Sequence, residues 1–211
     1  MILSKSNYIK GLQCHKYLWF SINQKDKIPE ADKSLQFRFD QGHLVTELAH
    51  KLFPKGILIQ SEDFKENLKQ STELLPKRVP LFEAAFSIDD LYSRADILNP
   101  VGKEQWDLIE VKSGTKVDEV HIQDIAFQKY CYQKVGLKIR KCIHMHINNE
   151  YVKKGEIEPK KIFVLEDVSE QVDKEIKNIP ERIEAMFNTL ALKKYSEVTI
   201  GRFCVSIQHS K

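Results

Sequence analysis

Hydrophobic residues change their spacing several times along the chain, and each spacing predicts an element. Over 81–87, 91–98 and 106–112 they alternate with polar residues or run in short stretches of strand length. Ile88-Asp89-Asp90 between the first two stretches predicts a hairpin, and Asn99-Pro100 with Gly102 predicts a turn before the third. Over 139–147 a period of two sets Ile143, Met145 and Ile147 on one face and Cys142, His144 and His146 on the other. Segments 56–60 and 162–165 are shorter strand candidates. Helical spacing takes over elsewhere. Ser4 or Ser6 can cap a first helix through about residue 21, and Ser34 a second that reaches Phe53, just before Pro54. A charged helix is expected over 63–75, another over 117–135 closed by Gly136, and a long amphipathic one over 169–194 interrupted near Pro180. Interleaved in this order, they predict an α/β fold: a central mixed β-sheet flanked by helices on both sides.

The polar residues on these strands then narrow the chemistry. Glu110 and Lys112 are two apart, so on a strand they share a face while Val111 points the other way into the core. If the strand carrying Asp96 is a neighbour, Asp96 reaches that face too. Two carboxylates that close repel each other unless a cation lies between them, and hard oxygen ligands suit Mg²⁺ or Mn²⁺. Lys112 cannot ligate while charged, but it can orient a water or help to deprotonate it. Glu83 alternates with Phe82, Ala84 and Phe86, which points it toward the same cleft. On the helix over 117–135, Gln128 and Tyr132 lie four apart and therefore on one face.

The set Asp96…Glu110-Val111-Lys112 resembles the PD-(D/E)XK nuclease superfamily. Followed by Gln128-x-x-x-Tyr132, it resembles the RecB-like branch, which includes the CRISPR-associated exonucleases. Phe39-Asp40-Gln41-Gly42-His43 through Ala49 looks like the glycine-containing first helix of that group. Ser6 through Trp19 is similar to its opening Cys-Pro-(Arg/Lys) segment, with His15 in place of the proline. Phe82-Glu83-Ala84-Ala85-Phe86, Asp124 through Gln128, and His146 through Tyr151 are similar to a little-characterised bacterial family with this nuclease domain at the N-terminus. The likeness spans residues 4 to 204 or so.

The resemblance implies a restriction-endonuclease-like core, with 1–211 as a single nuclease domain taken from a longer protein. It implies Mg²⁺ or Mn²⁺ held by Asp96, Glu110 and the Val111 carbonyl, with Lys112 assisting the attacking water. Gln128 and Tyr132 would contact the DNA or orient Lys112. DNA is the implied partner, along with DNA-repair or CRISPR-type proteins. Two departures stand out: Ala95 replaces the proline before the first acid, and Thr46 stands where those enzymes usually place a metal-ligating histidine. His43 and Glu47, one helical turn apart, are the substitutes. Cys14 and Cys204 match the first two cysteine positions of the iron–sulfur members, so the resemblance implies a [4Fe–4S] cluster only in a longer native chain.

Composition adds milder bounds. With a net charge of +3 the chain lacks the strongly basic footprint of many DNA-binding proteins, although a nuclease needs less charge because its metal binds the scissile phosphate. No apolar stretch approaches the ~20 residues of a membrane span, and the first residues lack a secretory signal, so no membrane contact and a cytoplasmic location are expected. Four cysteines then suggest thiols or a metal site before disulfides, with Cys131 and Cys142 as buried small hydrophobes. His144-x-His146 has a spacing that could ligate zinc, but it lacks a nearby partner and reads as ordinary strand residues. The leading expectation is a metal-dependent DNA nuclease, most simply an exonuclease. The alternative is a non-catalytic nucleic-acid-binding or assembly module on a nuclease scaffold.

Overall fold

The structure is a computed structural model that describes residues 1–30, 32–61 and 63–195. Strand β1 (Leu3–Ser4) leads directly into helix α1 (Lys5–Gln13), whose first turn is capped by Ser4 Oγ accepting from the Asn7 amide at 3.3 Å. The single helix expected here is broken in two. Cys14 is fully extended, and α2 (His15–Asn23) starts afresh beyond it. Helix α3 (Lys33–His50) is capped by Asp32 rather than Ser34, its carboxylate accepting from the Leu35 amide at 2.7 Å. After the short β2 (Ile57–Leu58), α4 (Phe64–Leu74) is capped by Asp63 in the same way.

Three long antiparallel strands follow: β3 (Leu81–Ile88), β4 (Leu91–Val101) and β5 (Gln105–Lys112). Asp89 and Asp90 join the first pair with φ of 48° and 62°, the left-handed pair that a two-residue hairpin turn demands and that aspartate tolerates. Asn99 and Pro100 are not the second turn. They belong to β4, where Pro100 faces Trp106, and the chain reverses at Gly102, whose φ is 55°. Helix α5 (Glu119–Lys134) then crosses back to β6 (Lys138–Ile147), parallel to β5. A short helix α6 (Pro159–Ile162) leads to β7 (Phe163–Asp167). The expected long helix is two, α7 (Ser169–Glu175) and α8 (Ile179–Leu190), with Pro180 in the first turn of the second.

Among the described residues seven strands form one mixed sheet in the order β2-β3-β4-β5-β6-β7, with β1 parallel to β4 at Leu91 and Tyr92. One face packs Leu81, Ala84, Phe86, Leu98 and Leu108 against Ile125, Phe127 and Tyr132 of α5 and against α1, α7 and α8. The other packs Phe82, Ile97, Ile109, Val111 and Met145 under Ala49 and its neighbours on α3. The α/β architecture read from the sequence is therefore the one the chain adopts. No helix among the described residues is long and apolar enough to cross a membrane.

Candidate active site

One irregularity of the sheet builds the site. On β3, Leu81 faces α5 and Phe82 faces α3, yet Ala84 and Phe86 again face α5, so the alternation slips by one at Glu83. Its partner strand does the same, with Ala95 on the α5 side, Ile97 on the α3 side and Leu98 back toward α5. Glu83 has φ of 59°, a left-handed conformation that costs a non-glycine residue about 1–2 kcal/mol. The ladder between β4 and β5 ends nearby, at Ile97 opposite Ile109. Beyond that point β5 leaves β4, and β1 takes up the pairing at Leu91. Lys5, the residue after β1, enters this region, and its ammonium reaches Glu110 on β5.

Asp96 and Glu110 lie on the two diverging strands. Asp96 Oδ2 accepts from the Val111 amide at 2.7 Å, so the Val111 backbone meets the acid through its N–H. Glu110, 1% exposed, accepts on Oε1 from Lys112 Nζ at 2.6 Å and from Lys5 Nζ at 3.0 Å. Its Oε2 accepts from Gln128 Nε2 at 2.7 Å. Gln128, fully buried on α5, also donates to Asp124 Oδ1 at 3.0 Å, and Lys112 donates to Asp124 Oδ2 at 2.9 Å. The result is a closed hydrogen-bonded network of two carboxylates, two ammoniums and one amide, with the Asp96 carboxylate beside it and coupled to it by charge.

Its electrostatics are uneven. Burial alone would raise Glu110, but Lys112, Lys5 and the Gln128 amide hold its carboxyl well below the usual range. Burial opposes the charge on Lys5 and Lys112, yet Asp124 and Glu110 outweigh it, and both ammoniums are held above the ordinary lysine range. Asp96 is the exception. Burial, reinforced by the charge of Glu110, pushes its carboxyl up to about 7. The lysines oppose this without cancelling it, because both donate directly to Glu110.

Of the residues expected from sequence, Asp96, Glu110, Lys112 and Gln128 are brought together. Tyr132 is not. It is fully buried between α5 and the sheet, its hydroxyl donating to the Ala84 carbonyl at 3.0 Å and its ring edge-on to Phe86 at 5.2 Å. His43 and Glu47 lie on the exposed side of α3. His43 is close enough to Glu83, and Glu47 to His50, to be felt electrostatically. Cys14 separates α1 from α2, and Cys204 lies outside the described residues. Burial pushes the Cys131 and Cys142 thiols up to about 12, in keeping with inert packing. His146 contacts Glu166 at 2.7 Å, and His144 contacts His121 at 3.0 Å.

Two members of the network were not singled out from sequence. Asp124 had a signal, because it precedes Gln128 by one helical turn and so shares its face. Lys5 had none. Only the strand switch at β4 brings a residue so far from Glu110 in sequence into contact with it.

Tyr132 and Gln128 therefore separate in their expected effects. Tyr132→Phe removes one buried hydrogen bond and should lower stability by about 1 kcal/mol in urea, with the implied nuclease activity per folded molecule unchanged. Gln128→Ala releases both Glu110 and Asp124 and should reduce the nuclease activity that the sequence resemblance implies by ~10–100-fold, the scale of groups that hold other site residues in place. A Tyr132→Phe protein of normal stability but impaired turnover would reverse this division.

A divalent cation suits part of this donor set. Two carboxylates, one pushed up to about 7 by burial and by the charge of the other, offer the hard oxygens that Mg²⁺ and Mn²⁺ take, and Mg²⁺ commonly uses one or two carboxylates and fills its remaining positions with water. Among the described residues no three His, Cys, Asp or Glu side chains converge as a group that could hold a metal ion.

No protein-family description matches the chain, and neither does any curated protein. Solved structures do resemble it in backbone course. The alkaline exonuclease LHK-Exo of Laribacter hongkongensis, in complex with dAMP, aligns with a TM-score of 0.44 and 10% identity over 89% of this chain and 86% of that one. A candidate exonuclease from Eubacterium rectale aligns with a TM-score of 0.46 and 13% identity over 100% of this chain and 89% of that one.

Proposed function

We propose that the chain is a metal-dependent DNA nuclease, acting as an exonuclease, in which Asp96 and Glu110 hold Mg²⁺ or Mn²⁺ and Lys112 orients the attacking water. The observation that carries this reading is the charge balance of the buried network. Asp96, Glu110 and Asp124 face Lys5 and Lys112, which leaves one excess negative charge when Asp96 is ionised. That excess falls on Asp96, whose carboxyl is pushed up to about 7. A divalent cation reverses the imbalance to one excess positive charge, matching one phosphodiester. When bound, such a cation supplies Lewis-acid polarisation of a phosphoryl oxygen and acidifies a water. Lys112 is held as an ammonium above the ordinary lysine range, so it acts as a hydrogen-bond donor that positions water or phosphate and not as a base. Gln128 holds Glu110 and Asp124 in register without adding charge.

The test is cleavage of end-labelled single- and double-stranded DNA in Mg²⁺ or Mn²⁺, comparing wild type with Lys112→Met. Cleavage by wild type that falls at least about 100-fold in Lys112→Met, on the scale of lost acid–base or electrostatic groups, is the expected result. A folded wild type that binds DNA and cleaves none of it would point to the non-catalytic module that keeps a nuclease scaffold.

A further inference from the structure

Next to the cleft, β4 carries a second set of side chains that the hydrolytic network does not use. Leu91, Ser93 and Ala95 point into the core, which leaves Tyr92 and Arg94 on the outward face. The Arg94 side chain is 47% exposed, with Nε 2.8 Å from Glu83 Oε2. Tyr92 lies beside Arg94 and Glu83 in the electrostatics of the fold, and its ring stands 4.9 Å from that of Phe64, tilted by 43°. Phe64, the first residue of α4, is 37% exposed. Glu83 in turn feels the charges of Lys5 and Glu110, so this surface lies close enough to the cleft to share its field. Arg94 precedes Asp96 by two residues, about 6.8 Å along a strand that rises ~3.4 Å per residue.

Stability does not account for the Glu83–Arg94 pair. A partly exposed ion pair contributes only about 0–1 kcal/mol, less than the strain of ~1–2 kcal/mol in the Glu83 backbone. Burial also pushes the Glu83 carboxyl upward against the pull of Arg94. Strain of this kind that the fold does not recover is commonly stored at functional sites. A guanidinium gripped through Nε presents its other edge outward, and that edge matches a phosphate. Ring faces at a surface take unstacked bases, which only a single strand offers.

We propose that Arg94, oriented by Glu83, and the Phe64–Tyr92 ring pair form a subsite for a single strand of nucleic acid. The guanidinium takes a backbone phosphate next to the one at the cleft, and an unstacked base lies on the rings. The assignment rests on the nuclease reading for its orientation toward the cleft, but it is tested by binding alone. Fluorescence anisotropy of labelled oligothymidylate with the full chain in EDTA should show single-strand binding tighter than duplex binding. Arg94→Ala should weaken it about 10-fold and reduce the slope of log K against log salt by about one phosphate contact. Arg94→Lys should keep that slope, which guards against a folding defect. Tyr92→Leu should weaken binding about 10-fold with the slope unchanged, since stacking carries no charge. Equal affinities for wild type, Arg94→Ala and Tyr92→Leu would overturn the subsite, as would preference for the duplex. DNA cleavage with no effect of Arg94→Ala on binding would sink the subsite alone. Arg94-dependent binding without cleavage in any divalent metal would sink the nuclease reading alone.

Discussion

Glutamine in place of Glu110 is expected to eliminate metal-dependent cleavage and, unusually for an active-site change, to weaken the fold as well. Glu110 is the acceptor on which Lys5, Lys112 and Gln128 converge, so the change removes a carboxylate that three donors share. Two largely buried ammoniums lose their nearest counter-charge, and the new amide sets one N–H donor against that of Gln128. Removing one partner of a buried ion pair costs about 3–5 kcal/mol. The lower end applies here, since Asp124 still holds Lys112 and both lysines keep some access to water. A urea midpoint near wild type would show that the network contributes little to stability. Residual cleavage above about one part in a hundred would show that Glu110 is not at the reacting centre.

The second large effect concerns pH in the metal-free protein. The folded-state value of Asp96 is raised to about 7 from an ordinary 3.8, so across that window the folded chain binds a proton that the unfolded chain has released. Stability must then fall as pH rises from about 4 to about 7, by on the order of 1.4 kcal/mol for each unit crossed, and level off above. His50, His121 and His144 are shifted down by burial and so contribute with the opposite sign below the ordinary histidine value, and the raw curve mixes both. The difference between wild type and Asp96→Asn isolates the carboxyl, because asparagine can still accept from the Val111 amide. In EDTA, Asp96→Asn should be the more stable protein at pH 8 and lose that advantage toward pH 4. With Mg²⁺ or Mn²⁺ present the order at pH 8 should narrow or invert, because cation binding stabilises only the wild type. A pH-independent difference would mean that Asp96 is not under electrostatic pressure.

How much of this could be read from sequence follows from which relations are local. Glu110 and Lys112 share a strand face by period-two alternation, and Asp124 and Gln128 share a helix face by their spacing of four. Both relations survive folding unchanged, so the site could be read wherever its geometry lies within one element. The helix over 117–135 and its end at Gly136 were legible for the same reason, since the φ of 89° at Gly136 needs glycine. What could not be read depends on the register between elements. The phase slip at Glu83 and Asp96 breaks the alternation that sequence reasoning assumes, and it is what turns Tyr92 and Arg94 outward. Lys5 joins the site only because β1 replaces β5 beside β4. Tyr132 shows that a shared helix face does not fix a shared partner: one turn from Gln128, its hydroxyl meets the Ala84 carbonyl. The break at Cys14 carries no sequence mark, because neither Gly nor Pro stands there. Asp32 rather than Ser34 starts α3 because one earlier residue able to cap is enough to begin the helix sooner.

The central claim is that the two carboxylates at the parting of β4 and β5 form a divalent-metal site. Mn²⁺ titrated into the protein and followed by the paramagnetic resonance signal of the free ion measures this without reference to turnover. Wild type should take up one ion per chain, Asp96→Asn and Glu110→Gln should each bind at least about tenfold more weakly, and Tyr132→Phe should bind as wild type does. Equal uptake by wild type and both carboxylate variants, or none by any of them, would contradict the assignment.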